Sequence, residues 1–225
     1  MKAMILAAGR GQRMRPLTDT LPKPLLSVGG KSLIVYHIEK LAIAGITDIV
    51  INTSYLGDKI QQALGSGAQW GVTIRYSQEQ EPLETAGALL HALPLLEDKP
   101  FLLVNGDVWT DFVFDNLLQQ PLTRVLGRLV LVHNPEHNPE GDFSLSDKLV
   151  TEKHISQPTY TFAGIGLFNP AIVRDYPRRR QAFPLREVFH EAIQNRQLEA
   201  ILHQGQWWDV GTPERIRLLD QWLKP

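Results

Sequence analysis

The sequence predicts an α/β chain built on a single open, doubly wound, mixed sheet. Helical and strand periodicities alternate along its first half. The run Phe101-Leu102-Leu103-Val104-Asn105 is apolar until its last residue, as in a strand covered on both faces of a parallel sheet. The first strand runs straight into a glycine-bearing turn, at the strand end where open α/β sheets bind their ligands.

Residues 2–8 form a short apolar strand. Ser32 is placed to cap a helix through about Ala44, with Leu33, Ile34, His37, Ile38 and Leu41 on one face and Gly45 beyond its end. A strand at 49–52, a helix at 57–64 and a strand of period two at 72–76 follow. Thr85 is expected to cap a helix through Leu93, leading to the strand at 101–105. In the second half, a strand at 129–132 precedes a loop of turn formers at 134–141. Residues 143–145 and 149–151, joined by Asp147-Lys148, read as a hairpin feeding a strand at 160–168. Pro184 opens a helix through Gln194, and 198–202 is a strand. Thr212-Pro213-Glu214 is a helix start with proline at its first position and an acid in its first turn. Without an internal repeat, low-complexity tract or linker, residues 1–225 read as one domain with no room for an appended module.

A chain of 225 residues, 43% of them hydrophobic, is long enough to bury a continuous core. The net charge of −1 argues against a nucleic-acid or polybasic membrane partner. The absence of cysteine excludes disulfides and thiolate chemistry. No signal-like segment precedes the first strand and no apolar run approaches the roughly 18 residues of a membrane span, so the expected location is the cytoplasm. No obligatory protein partner is evident.

The turn after the first strand, Gly9-Arg10-Gly11-Gln12-Arg13-Met14-Arg15, suits an anion. Glycines let backbone N–H groups approach a ligand closely, and Arg10, Arg13, Arg15 and Lys23 add cations, so a polyphosphate is the natural guest. It is not a P-loop, because no Gly-Lys-Ser/Thr follows at the required spacing. Nor is it a dinucleotide fingerprint: Met14 stands where a small residue is needed, and the second strand ends in Asn52 rather than an acid. Two aspartates follow strands. Asp107 sits in Asn105-Gly106-Asp107 and Asp209 in Trp207-Trp208-Asp209-Val210-Gly211. Mg²⁺ in phosphate enzymes takes one or two carboxylates plus phosphate oxygens and water, a role these two fill only if the fold joins them. Each alone is equally a turn or cap residue. Trp207 and Trp208 point to opposite strand faces, one toward the core and the other free to line a site. Arg178-Arg179-Arg180 reads as a solvated loop.

The segment from Leu6 to Met14, with Pro16-Leu17-Thr18 and Pro22-Lys23-Pro24-Leu25, resembles the opening motif of sugar-phosphate nucleotidyltransferases. The resemblance implies a Rossmann-like nucleotidyltransferase (glycosyltransferase-A-like) fold, a nucleoside triphosphate and a sugar 1-phosphate as substrates, and Mg²⁺ as cofactor. It also implies that Leu6, Ala7, Gly9, Gly11, Gln12, Arg13, Lys23, Asn105 and Gly106 hold the nucleotide, that Lys23, Arg13 and Asp107 are catalytic, and that Asp107 and Asp209 bind the metal. The stretch Glu79 to Leu89 resembles the family's base-recognition segment and nominates Glu79, Pro82 and Thr85, with Glu84 where many relatives carry glycine. Gly141, Asp142, Glu152 and Thr161 lie where the family contacts the sugar phosphate. On the residues alone, Asp142 is equally a turn residue and Glu152 a solvated partner of Lys153. The loop character of 140–157 suits a lid.

Within the family, the segments 13–18, 81–85 and 103–111 resemble a uridylyltransferase branch of cell-wall (peptidoglycan) recycling. That likeness implies UTP and N-acetylmuramate α-1-phosphate giving UDP-N-acetylmuramate and pyrophosphate. Thr85-Ala86-Gly87-Ala88-Leu89 also resembles the mannose branch, which keeps a guanylyl- or thymidylyltransferase of mannose or glucose phosphate open. A non-catalytic sugar-nucleotide-binding regulatory protein is the alternative of another class, and the intact set of Lys23, Asp107 and Asp209 stands against it.

Overall fold

The computed structural model describes residues 1–154 and 156–224. In chain order the elements are β1 (Lys2–Leu6), β2 (Ser27–Val28), β3 (Lys31–Ser32), α1 (Leu33–Ile43), β4 (Asp48–Thr53), α2 (Gly57–Leu64), β5 (Thr73–Gln78), α3 (Glu84–Leu96), β6 (Phe101–Asn105) and β7 (Val108–Thr110). They continue with α4 (Asp115–Leu118), β8 (Gly127–Val132), β9 (Phe143–Ser146), β10 (Leu149–Thr151), β11 (Thr159–Phe168), α5 (Ala171–Arg174), α6 (Leu185–Gln194), β12 (Leu198–His203), β13 (Trp207–Asp209) and α7 (Pro213–Leu223). Two compact units emerge. The first comprises Met1–Pro82, Val104–Phe114 and Gln206–Pro225, and the second Leu83–Leu103 and Asp115–Gly205.

In the first unit β1 and β5 flank β4, all parallel, with Met4 opposite Val50 and Ile49 opposite Ile74. Ala3, Met4, Ile5, Ile49, Val50 and Ile51 are fully buried, so both faces of these strands are covered, as their unbroken apolar runs require. Helix α1 buries Leu33, Ile34, His37, Ile38 and Leu41, the face that its periodicity predicts. Ser32 does not cap it, because Ser32 is drawn into the β2–β3 hairpin opposite Ser27. Thr212 does cap α7, accepting from the Arg215 amide, with Pro213 at the first helical position. A core of Met14, Leu26, Leu33, Trp109, Val210 and Leu219 ties the glycine-bearing turn to α1 and α7.

The second unit carries the mixed pairing. β8 runs antiparallel to β11 and parallel to β12, and β12 is antiparallel to β10, the second arm of the predicted β9–β10 hairpin. Phe168 stacks on Phe189 of α6 at 5.7 Å, and Phe162 meets the same ring edge-on at 5.3 Å.

Thr85 requires a correction. Helix α3 begins one residue earlier, at Glu84, and the Thr85 hydroxyl accepts the Leu185 amide at 2.7 Å. It therefore satisfies an orphan donor in the first turn of α6 rather than one of its own helix. Helix α3 also runs past Leu93 and through Pro94 to Leu96, which is buried.

The Ala86 and Gly87 amides donate to the Phe183 carbonyl, and a Cβ built on Gly87 would stand 2.4 Å from the Gln181 carbonyl oxygen. Because the obstacle is backbone, Gly87→Ala is expected to destabilise the protein by about 1–3 kcal/mol in urea unfolding. Unchanged stability would show that segment 181–183 is free to move aside.

Candidate active site

The site is built within the first unit, from where β1 ends. The Ala7 amide donates to Asn52 Oδ1 at 2.7 Å, which fixes the chain as it leaves the sheet. At Gly11 the backbone turns left-handed, with φ +62°, and a Cβ there would lie 2.9 Å from the Thr18 methyl. Thr18 donates its hydroxyl to the Gly11 carbonyl at 2.7 Å, and the Met14 amide donates to the same oxygen at 2.8 Å. Met14 is buried in the core while Gln12 and Arg13 stay exposed, so the turn presents its polar side chains from an anchored base.

Lys23 opens a short 3₁₀ turn, Lys23–Leu25, and donates to Asp107 Oδ2 at 2.7 Å. The lysine side chain is 9% exposed and the aspartate's 41%, so the pair sits at a wall, ammonium inward and carboxylate outward. Asp107 follows a constrained glycine. The Gly106 amide donates to the Leu6 carbonyl at 2.8 Å, and a Cβ on Gly106 would stand 2.8 Å from that oxygen.

The second aspartate arrives by a strand pairing that the sequence did not predict. β7 and β13 form an antiparallel ribbon with Val108 opposite Asp209, and the Val210 amide donates to the Asp107 carbonyl at 3.0 Å. Asp107 and Asp209 thus become neighbours across roughly a hundred residues of sequence. Arg215 holds Asp209, donating from Nη1 to Oδ2 at 2.6 Å and to the backbone carbonyl at 3.2 Å. Trp208 packs on the core beside Trp222, and Trp207 occupies the other ribbon face.

A cavity of about 570 Å³ is lined by Gly9, Arg10, Gly11, Gln12, Arg13, Met14, Lys23, Asp107 and Gly211. Three cations against one carboxylate make it a receptor for an anion, and its size suits a nucleotide. Of the two aspartates, Asp107 lines this cavity, and a carboxylate oxygen there suits a hard divalent cation completed by phosphate and water, whereas Asp209 is not among the lining residues and its carboxylate is held by Arg215. Among the described residues, no group of three or more His, Cys, Asp or Glu side chains gathers as a closed metal cage.

The remaining candidates fall into separate groups. Glu79 is almost wholly buried and accepts from Asn52 Nδ2 at 2.7 Å, so Asn52 joins the Ala7 amide to the start of the segment Glu79 to Leu89. Pro82 is exposed within that segment. In the second unit, Gly141, Asp142 and Thr161 form one polar clasp. Asp142 accepts the Phe162 amide at 2.9 Å, Asn138 donates to both Asp142 and Thr161, and Gly141 leaves no room for a Cβ beside Asn134. Glu152 stands apart from this clasp, paired with His190 at 2.5 Å. Ile155, within the 140–157 stretch, lies outside the described residues. Asn52, Thr18, Arg215 and His37 support the site through contacts that local sequence does not single out. A polar residue closing the apolar run of β4 was the one available signal, for Asn52.

A family profile described as Nucleotidyl transferase matches residues 2–221. The chain belongs to the nucleotidyl transferase family. It is 47% identical over 222 residues to the N-acetylmuramate alpha-1-phosphate uridylyltransferase of Neisseria meningitidis, covering 96% of each chain. It is also 35% identical over 230 residues to the mannose-1-phosphate guanyltransferase of Gibberella zeae, across 95% of this chain but only 62% of that one. Among solved structures, HddC of Yersinia pseudotuberculosis complexed with GMP-PN superposes with a TM-score of 0.81 at 22% identity, covering 99% of both chains. A Bacillus anthracis chain described as a glucose-1-phosphate thymidylyltransferase, bound to a sucrose, reaches 0.87 at 22% identity, covering 100% of this chain and 95% of that one. These likenesses place the fold among the family's doubly wound α/β sheets.

His37 supports the ribbon from beneath. Its Nε2–H donates to the Val108 carbonyl at 2.8 Å, and burial pushes its pKa down from 6.5 to about 4. Between those values the unfolded chain binds more protons than the folded one, so stability falls as pH drops through this window, by up to about 3 kcal/mol from this group. Urea midpoints measured from pH 7 down to 4.5 should decline more steeply for the wild type than for His37→Gln. Parallel curves would show that His37 charges without cost.

Proposed function

We propose that this protein transfers a uridylyl group from UTP to N-acetylmuramate α-1-phosphate, releasing pyrophosphate, and that it does so in the cytoplasm as a step of peptidoglycan recycling. The observation that carries the reading is the Lys23–Asp107 pair at 2.7 Å in the wall of a cation-lined cavity of about 570 Å³. The 47% identity to the Neisseria uridylyltransferase across nearly the whole of both chains supports the choice of base and sugar. One family profile spanning residues 2–221 supports treating residues 1–225 as a single catalytic domain.

The reaction needs no covalent intermediate. A phosphate oxygen of the sugar 1-phosphate attacks the α-phosphorus in line, a new P–O bond forms, and the bond to the departing pyrophosphate breaks. The nucleophile is already anionic, so the barrier lies in bringing two polyanions together. In this reading Leu6, Ala7, Gly9, Gly11 and Gln12 cradle the triphosphate, while Arg13 and Lys23 offset the charge that shifts onto the leaving oxygens. Asn105 and Gly106 set the floor beneath the nucleotide, and Glu79, Pro82 and Thr85 receive the base. Asp107 and Asp209 would hold Mg²⁺, which when bound supplies further neutralisation of phosphate oxygens. Gly141, Asp142, Glu152 and Thr161 are assigned to the sugar phosphate.

A second reading, guanylyl transfer to mannose 1-phosphate, draws on the 35% identity to the Gibberella enzyme. Pyrophosphate release in the presence of Mg²⁺, with UTP, dTTP, GTP, CTP and ATP crossed against muramate, glucosamine, glucose and mannose 1-phosphates, separates the two. Turnover confined to UTP with N-acetylmuramate 1-phosphate is the expected result. Preference for GTP with mannose 1-phosphate would replace it with the second reading, and no turnover with any pair would favour a binding protein. In the active pair, Lys23→Ala should lower kcat by about 100-fold or more, as loss of other preorganised charge contacts does. A change of only a few-fold would remove Lys23 from the chemistry.

A further inference from the structure

The second unit contains a cavity of about 430 Å³ lined by, among others, Gln120, Pro121, Arg124, Arg128, Arg196 and Glu199. None of these residues has a part in the proposed uridylyl transfer. Three guanidiniums and one carboxylate share the space, and the carboxylate is already taken. Arg128 on β8 lies opposite Glu199 on β12 and donates to its Oε1 from Nε at 2.6 Å and from Nη2 at 2.5 Å. Its Nη1 donates to the carbonyls of Leu117 at 3.0 Å and Gln120 at 2.6 Å. Arg128 is 7% exposed and fully bonded, so it builds the wall and fastens the start of the loop that carries Arg124.

Arg124 and Arg196 are exposed, and among the described residues neither guanidinium has an acidic partner. The backbone of Arg196 adds an independent observation. It sits just beyond the Asn195 C-cap of α6 with φ +55°, and its amide closes onto the Ile193 carbonyl while that of Gln197 closes onto Ala192. Helix ends of this kind favour glycine, which adopts the left-handed conformation without a Cβ penalty. An arginine there holds strained backbone that a glycine would release, and it lines a cavity that carries uncompensated positive charge.

We propose that this cavity is a second anion site, in which Arg124 and Arg196 grip the phosphate of a small molecule. Guanidinium forks match phosphate oxygens, and a concave volume of about 430 Å³ suits a small metabolite rather than a protein or nucleic-acid surface. The phosphate is either free, as in pyrophosphate, or carried on a sugar.

The full-length chain is titrated with pyrophosphate and, separately, with glucose 6-phosphate while its backbone amide NMR spectrum is followed. Saturable shifts clustered at residues 120–128 and 196–199 are expected, and the tighter of the two probes identifies the source of the phosphate. Arg196→Gly should weaken binding at these residues about tenfold or more while raising Tm, a combination that general damage to the fold does not produce. Arg124→Ala, on an exposed loop, should weaken binding to a similar degree. Absence of saturable shifts with both probes, or affinities unchanged in both variants, overturns the proposal.

Discussion

The close approach of Gly106 to the end of β1 is the constraint on which the candidate site depends. The Gly106 amide reaches the Leu6 carbonyl at 2.8 Å, and that oxygen occupies the space a side chain would need. This backbone contact holds the segment that carries Asp107 against the end of the strand that leads into the glycine-bearing turn. Asp107 reaches Lys23, and the ribbon that pairs Val108 with Asp209 brings the backbone of the second aspartate close to that of the first.

The electrostatics of the cavity follow from which members are buried. Lys23 is 9% exposed, so its charge depends on the Asp107 carboxylate for compensation, and removing that partner would strand an ammonium in a region of low dielectric. Arg13 and Arg10 are exposed and lose little by standing uncompensated until an anion arrives. Asp209 has a different support. Arg215 donates to both its carboxylate and its backbone carbonyl, fixing the side chain from the first turn of α7, whose own start is secured by Thr212 and Pro213. Each carboxylate is therefore oriented before any ligand binds, which is what electrostatic preorganisation requires.

A second network links the residue that enters the glycine-bearing turn to Glu79. Asn52 donates to the nearly buried Glu79 and accepts from Ala7, so one amide side chain spans both segments. The amide satisfies two buried polar groups at once, and substitution by an apolar residue would leave both without it. The second unit shows the same economy at Arg128, whose guanidinium serves Glu199 and two loop carbonyls.

The sequence by itself determined the α/β alternation, the buried face of α1, the β9–β10 hairpin, the capped start of α7 and the chemistry of the glycine-bearing turn. Each of these rests on neighbours in the chain: apolar periodicity, a turn pair, Thr-Pro-Glu, or glycines among arginines. It also named Lys23, Asp107 and Asp209, but left their meeting conditional on the fold. The tertiary structure alone decided that β7 and β13 pair, that Asn52 binds Glu79 and that Arg215 clasps Asp209. It also decided that Thr85 caps α6 rather than α3 and that Ser32 serves a hairpin. A hydroxyl or amide can bond to whichever donor or acceptor the fold brings near, and local sequence does not encode which one arrives. Strand pairing across roughly a hundred residues depends on packing that only the folded chain assembles, as does the close approach at Gly106, where only a residue without a Cβ fits beside the Leu6 carbonyl oxygen.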